Sequence, residues 1–542
     1  MTGTGVVPAA RAVPLADRNI RHLVDGGATQ WADRTALRQD DTVLTYDGLR
    51  EEVRSHGAAL AALGISWQQP VLMMMDNHLD HVLTWLGATY FGRVQVQVNT
   101  AYRGSLLVRV LQQSGADTIV TEDRYCERIA AVADKVPGLH RAIVRGGNGA
   151  ALTGCGIEVR AFAEVFSGAS DGEPEEQVAP WHVYGVMYTS GTTGPSKGVV
   201  LPQALPFTYV SPETVAMVDG DDVVLVPFPQ FHISGQWTGV LAPLMVGGSA
   251  VLVERFSASA FWDQVRRYGI TQTTLLSAMV PFLTGQEEQP GDADTTLRKV
   301  VMAPVIAGAA AFERRFGVSV ASCYGQTEAC LPIVSWYGSS KPGACGWVRP
   351  EFEVRLVDEH DRDVPPGQVG ELIVRAREPH ASMIEYLGAP EATVAKWRNL
   401  WLHTGDMHRR DSDGLFYFVD RSNDVIRRRG ENVSSLEIEA EIQRVPQVQM
   451  VAVVGIDSPD LEQEIKACIV LAPGAVITAA GLHAELRVRL PYFMVPRYLE
   501  FHADLPRTPT QRVQKSSLRM AGVTKATWDA RAHGAEARHT DR

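Results

Sequence analysis

The feature that constrains this chain most is the regular alternation of strand-forming and helix-forming stretches behind Tyr46. A short hairpin is expected around Asp40 and Asp41. A helix then starts at Tyr46 in "LTYDGLREEV", where apolar residues recur at helical spacing. The strand "QPVLMMMD", the helix "HLDHVLTWLGATYFG", the strand "VQVQVN", the helix "SLLVRVLQQSG" and the strand "DTIVTE" follow in turn. Such alternation implies parallel-rich sheets with helices packed on their faces, an α/β fold. Residues 342–375 change character: the strands "FEVRLVDE" and "GELIVRA" flank the turn "DVPPGQVG" and read as a small β subdomain. Beyond "YFVDRSNDVIRRRGENV" the pattern resets to "SSLEIEAEIQRV", "MVAVVGI", "EIKACIVL", "TAAGLHAELRVRL" and "YLEFHA". That is a compact α+β unit of about a hundred residues. The expected organisation is a large N-terminal domain over 1–422, a small C-terminal domain over 423–525 and a disordered tail over 526–542, with fraying from about Thr524.

Length and charge narrow the class. A chain of 542 residues exceeds one compact core. Its net charge of −11, without a dense Lys/Arg stripe, makes nucleic acid a poor partner. The short basic run at Arg427, Arg428 and Arg429 reads as a solvated loop. The six cysteines are scattered with no C-x-x-C pair, which argues for reduced thiols and against a zinc site. The start of the chain has no secretory leader pattern, so a cytoplasmic location is expected. Residues 223–253 lack Asp, Glu, Lys and Arg, but Pro227, Pro229, Gln230, His232, Gln236 and Pro243 interrupt them. A buried core segment is expected there, with no membrane span.

Chemistry enters at "MYTSGTTGPSKGVVL", residues 187–201. A Walker A loop needs Gly, four residues, then Gly-Lys-Ser/Thr. Counting from Gly191 places Ser196 at the second Gly and Gly198 at the Ser/Thr. The loop still suits phosphate, because glycines let backbone N–H groups converge on an anion and Thr189, Ser190, Thr192, Thr193 and Lys197 add donors. Taken alone, it reads equally well as a surface turn.

Four further stretches follow in fixed order: "YGQTE" at 324–328, "HTGD" at 403–406, "DRSNDVIRRRGENVSSLEIE" at 420–439 and "LPRTPTQRVQK" at 505–515. With the glycine-rich loop they resemble the ordered motifs of the adenylate-forming superfamily of acyl-CoA synthetases, peptide-synthetase adenylation domains and luciferases. "LTYDGLREEV" and "VNTAYRG" are similar to its carnitine/crotonobetaine-CoA ligase-like branch. The resemblance implies ATP and Mg²⁺ as cofactors, a small-molecule acid activated as an acyl-AMP with pyrophosphate release, and CoA or an amine as the nucleophile. By matching positions, Thr189, Ser190, Gly191, Thr192, Thr193 and Gly194 close over the leaving phosphates with Lys197. Tyr324 and Gly325 lie at the adenine, Thr327 at the α-phosphate, Glu328 at Mg²⁺, Asp406 at the ribose hydroxyls, and Arg421 at ribose or phosphate. His232 and Trp237 from "FPQFHISGQW", Met302 and Ala303 from "MAP", and Cys323 are implied to face the acyl group. A small mobile C-terminal domain is implied to turn between the two half-reactions.

Three departures break that pattern. Gln511 and Arg512 stand where the family carries Gly-Lys, and the planar guanidinium of Arg512 is not equivalent to a compact ammonium. Lys515 is a substitute by proximity, although the family implies a solvated Lys there. Gln203 replaces a frequent His, and Arg429 replaces a frequent Gly on the pantetheine path. These departures keep three alternatives in view: an amide ligase, a nitrite-dependent diazotase of secondary metabolism, and a non-catalytic nucleotide-binding homologue.

Overall fold

A computed structural model of the chain describes residues 13–535, apart from 168–171, 190–195, 213, 277–278, 304, 306–307, 340, 422–424, 429–430, 459–462, 507–512 and 514. The chain divides into two compact units. The first comprises Met1–Thr100, Val110–Met187 and Gly198–Asp420; the second comprises Ala101–Arg109, Tyr188–Lys197 and Arg421–Arg542.

Among the described residues the first unit carries three sheets. One has the strand order Ser319–Ala321, Lys299–Ala303, Gln272–Leu276, Val223–Val226, Ser249–Leu252, Thr35–Gln39, Thr42–Thr45. Its pairings are parallel except the last, the hairpin expected at Asp40, whose φ of 51° makes the tight turn. The second runs Glu385–Tyr386, Lys197–Pro202, Val183–Thr189, Val94–Gln97, Pro70–Met74, Thr118–Glu122, Arg141–Arg145, Glu158–Ala161, with parallel pairing from Val183–Thr189 onward. Helix Leu79–Tyr90 packs on it, and helix Tyr46–Ala62 packs on that helix and on the hairpin over 35–45. The Thr45 hydroxyl caps helix Tyr46–Ala62 by accepting from Gly48 N, and the two helices approach closely because a Cβ at Gly57 would lie 2.6 Å from Gly87 O. The third sheet is antiparallel, in the order Cys323–Gln326, Cys330–Val334, Ala344–Val348, Phe416–Arg421, Leu402–Arg410, Val369–Ala376, Phe352–Val357. The β subdomain is therefore larger than the two strands read from the sequence.

The charge-free segment 223–253 folds as strand Val223–Val226, π-helical turns Ser234–Leu241 and strand Ser249–Leu252. Among the described residues no helix is long and apolar enough to cross a membrane.

In the second unit, Val448–Asp457, Gln463–Leu471, Tyr498–Phe501 and Trp528–Asp529 form one sheet, packed by helices Ser435–Gln443 and Ala479–Arg489. Three expectations need correction there. The tail is not frayed from Thr524: Trp528–Asp529 pairs with Tyr498–Phe501, and Arg497 grips Asp529 with two 2.9 Å hydrogen bonds. Nor is the basic run simply a solvated loop. Arg428 is buried, its Nε 2.7 Å from Glu464 and its Nη1 donating to Val495 O at 2.5 Å. Lys515 is not solvated either, since its ammonium lies 2.7 Å from Glu439 and 2.8 Å from the Ser435 hydroxyl.

Candidate functional site

The "HTGD" motif is a bulge. In the pairing of Val369–Ala376 with Leu402–Arg410, Ile373 faces His403 and Glu371 faces Met407, so Thr404, Gly405 and Asp406 stand opposite Leu372 alone. Gly405 takes φ 75°, a conformation that favours glycine, and its N–H donates to Glu371 at 2.9 Å. The Thr404 hydroxyl ties the bulge down by donating to Leu372 O at 2.6 Å and accepting from Asp406 N at 3.1 Å. The Asp406 carboxylate is thereby fixed inside the first unit.

"YGQTE" meets it from strand Cys323–Gln326 and the turn that follows. The Tyr324 hydroxyl donates to Asp406 Oδ2 at 2.7 Å, and Gln326 Nε2 donates to the same oxygen at 2.5 Å and to Thr404 O at 3.0 Å. Glycine at 325 is a packing requirement, because a Cβ would lie 2.5 Å from Cys330 O and 3.1 Å from Leu331 Cα. The ring of Tyr324 packs edge-on against His408, 4.3 Å between centroids, and near-parallel to Phe418 at 6.4 Å. Burial pushes His408 down to about 4, so this imidazole is neutral at physiological pH. The sequence reading named Tyr324, Gly325 and Asp406 but missed Gln326, His408 and Phe418.

Glu328 is buried, and its Oε1 accepts from the Tyr386 hydroxyl at 2.8 Å. Burial first, then the Glu328 charge, pushes the Tyr386 phenol well above its ordinary range, so the phenol stays a donor. Tyr386 belongs to the short strand Glu385–Tyr386, which pairs with Lys197–Pro202 through Tyr386 opposite Val199, and Leu387 N donates to Gly198 O at 2.7 Å. The carboxylate is thus tied to the strand that leaves the glycine-rich loop. Thr327 lies half-buried in the intervening turn. Tyr386, two residues in "EYLG", carried no signal of its own.

Among the described residues no three His, Cys, Asp or Glu side chains gather as a metal cage. Magnesium does not require one: it keeps several waters and binds through one or two carboxylates plus substrate phosphates. Glu328 fits that role.

Of the loop residues, Thr189 ends strand Val183–Thr189 and Lys197, half-buried, opens Lys197–Pro202. Ser190, Gly191, Thr192, Thr193, Gly194 and Arg512 lie outside the described residues, as does the side chain of Arg421. Within the second unit, Ser196 donates through its N–H and, at 2.6 Å, its hydroxyl to the buried Glu437 carboxylate, whose pKa burial raises.

On the acid side, Met302 is fully buried and Ala303 half-buried at the carboxyl end of Lys299–Ala303. Burial pushes the thiol of the half-buried Cys323 up to about 12, so it is not a nucleophile at neutral pH. His232 packs on Phe231, ring centroids 4.7 Å apart. Trp237 is fully buried in the core, edge-on to Tyr209 at 5.0 Å and to Tyr184 at 6.2 Å.

The sequence matches the family model for AMP-binding enzymes over residues 24–386 and that for the AMP-binding enzyme C-terminal domain over 437–512. It is 31% identical over 525 residues to crotonobetaine/carnitine–CoA ligase from Citrobacter koseri, covering 93% of this chain and 99% of that relative. Among solved structures, a double mutant of o-succinylbenzoate CoA synthetase from Bacillus subtilis superposes with a TM-score of 0.79 at 21% identity, over 94% of this chain and 99% of that one. An amide bond synthetase from Marinactinospora thermotolerans superposes with a TM-score of 0.77 at 26% identity, over 93% and 99%.

Proposed function

The chain belongs to the AMP-binding, adenylate-forming enzymes, and from that membership we propose that it is an ATP-dependent acid–CoA ligase. The observation that carries the reading is Asp406, buried in a glycine bulge and oriented by Tyr324 and Gln326. An acceptor-only carboxylate held in this way suits a pair of ribose hydroxyls.

In the first half-reaction a carboxylate oxygen of the acid attacks the α-phosphorus of ATP. The bond to the bridging β-phosphate oxygen breaks, and pyrophosphate leaves. Asp406 holds the ribose, Tyr324 supports the base, and Thr327 donates to the α-phosphate. Glu328 would hold Mg²⁺, which when bound would supply neutralisation of the charge on the leaving group. Thr189, Ser190, Thr192, Thr193 and Lys197, with the glycines between them, receive the β- and γ-phosphates. Arg512 supplies the cation between the acid and the α-phosphate, with a broader guanidinium in place of an ammonium. In the second half-reaction the CoA thiolate attacks the acyl carbon, AMP departs, and a thioester remains. Turning of the small C-terminal domain between the two steps belongs to the proposal.

ATP-dependent pyrophosphate release is the test, measured against short and long fatty acids, aryl acids, carnitine and crotonobetaine, each with and without CoA. Release that yields a CoA thioester is expected. Release captured only by an amine favours the amide ligase, a reading to which the superposed amide bond synthetase lends weight. Release with nitrite and an aryl amine alone indicates diazotisation. ATP binding with no release from any acid overturns the catalytic reading.

A further inference from the structure

Strand Val94–Gln97 lies inside its sheet, between Pro70–Met74 and Val183–Thr189, where side chains are normally apolar. It nevertheless carries Gln95 and Gln97, both buried, and neither is wasted. Gln95 and Gln236 exchange two amide hydrogen bonds, at 3.2 and 2.8 Å. The Tyr184 hydroxyl donates to Gln236 Oε1 at 2.6 Å, and Gln97 Nε2 donates to Gln95 Oε1 at 2.7 Å. The chain of contacts continues to the buried His81, whose ring nitrogens lie 3.0 Å from Gln97 Oε1 and 3.2 Å from Asp76 O.

The surrounding backbone is shaped to admit this network. A Cβ at Gly185, on the adjacent strand, would lie 2.5 Å from Gln95 Cγ and 2.8 Å from Gln95 O. At the other end, Gln236 belongs to the π-helical turns Ser234–Leu241, and its N–H donates to His232 O at 3.2 Å. Gly235 lets those turns press on the preceding segment, since its Cβ would lie 2.2 Å from Pro229 O.

π-helical turns are strained and rare, and persist where the surroundings impose them. A satisfied buried polar network is directional, and imposes one arrangement where apolar packing tolerates several. We propose that the Gln95–Gln236–Tyr184 network positions the 228–241 segment, with His232, as the wall that selects the acid. The proposal rests on the acid-ligase reading for its substrate, while the placement of the segment is testable apart from it. Gln236 is a positioning residue here, acting through the segment it anchors.

Two variants test this: Tyr184→Phe, which keeps the ring and removes one hydroxyl, and Gln236→Met, which removes the amide at similar length. Both are compared with wild type for acid KM, ATP KM, the ranking of an acid panel, and amide hydrogen exchange over 228–241 and 402–410. Gln236→Met is expected to raise acid KM about tenfold and Tyr184→Phe about threefold, with ATP KM unchanged, the acid ranking altered and exchange accelerated in 228–241 alone, in line with the loss of three buried hydrogen bonds in the first variant and one in the second. Unchanged acid KM and ranking, or acid KM and ATP KM rising together, overturns the proposal. If wild type releases no pyrophosphate with any acid, the ligase reading fails. The exchange measurement then decides alone: faster exchange confined to 228–241 upholds the positioning role, and unchanged or global exchange overturns it.

Discussion

The candidate site of the first unit and the body of the second hold their acids in opposite ways. In the first, Asp406 is oriented by a phenol and an amide, and Glu328 by a phenol. In the second, Glu464 faces Arg428 at 2.7 Å, Glu500 faces Lys466 at 2.8 Å and Glu439 faces Lys515 at 2.7 Å. A hydroxyl or amide fixes the direction of a carboxylate and leaves its charge; a guanidinium or ammonium cancels it. The first arrangement suits a group that must meet a sugar or a cation. The second suits a group that holds a small domain together. Glu437 breaks the pattern, because an acid of the second unit takes its hydrogen bonds from Ser196 beside the glycine-rich loop.

The difference is open to test, beginning with the strongest effect. Arg428→Met removes the nearest cation from the Glu464 carboxylate, which keeps Arg497 at 3.6 Å and Arg531 at 3.7 Å, and is expected to cost about 1–3 kcal/mol in denaturant titration, with pyrophosphate release per folded molecule retained. Loss of release without loss of stability would move Arg428 to the functional class. His408 supplies a pH effect of the same order. Its folded pKa of about 4 lies below the unfolded value of 6.5, so as pH falls from 6.5 towards 4 the unfolded chain takes up a proton that the folded chain refuses. Stability therefore declines with falling pH over that window, by on the order of 3 kcal/mol at most. Melting curves of His408→Gln are expected to be flatter than wild type across it, and equal slopes would show that other groups dominate.

Asp406→Ala is expected to lower kcat/KM for ATP about a hundredfold, since two strong hydrogen bonds to the nucleotide are lost. Asp406→Asn should lose nearly as much, which would establish that charge and not shape is needed. Lys515→Met is expected to destabilise by about 1–2 kcal/mol while adenylation survives. Abolished adenylation with an unchanged melting temperature would instead make Lys515 the cation that replaces the family lysine. The smallest effect is Tyr324→Phe, expected to raise ATP KM about fivefold by freeing one side of Asp406.

Much of this arrangement was legible in the sequence where information is local. Helical and strand periodicity marked the hairpin at Asp40, the helix at Tyr46 and the strands Pro70–Met74, Val94–Gln97 and Thr118–Glu122 of one parallel sheet, because side-chain period and burial are properties of a short window. "HTGD" and "YGQTE" pointed to Asp406, Glu328 and Tyr324 through the resemblance of the ordered motifs to the adenylate-forming family. The third sheet was underestimated because Cys323–Gln326, Cys330–Val334 and Ala344–Val348 pair locally with one another and join the rest only where Ala344–Val348 meets the distant Phe416–Arg421. Arg428 and Lys515 looked solvated because their acids, Glu464 and Glu439, lie far along the chain.

The sequence by itself determined the α/β alternation, the reset to a second α+β unit, the family motifs and the departure at Arg512. Only the tertiary structure decided that Gln326 and Tyr386 orient the two acids, that His408 backs Tyr324, and that Gln95 meets Gln236. The reason is physical. Periodicity and turn chemistry depend on neighbours in the chain, whereas a hydrogen bond inside a core joins residues as far apart as 141 positions, and no local pattern encodes which donor will face which acceptor once the sheets have closed.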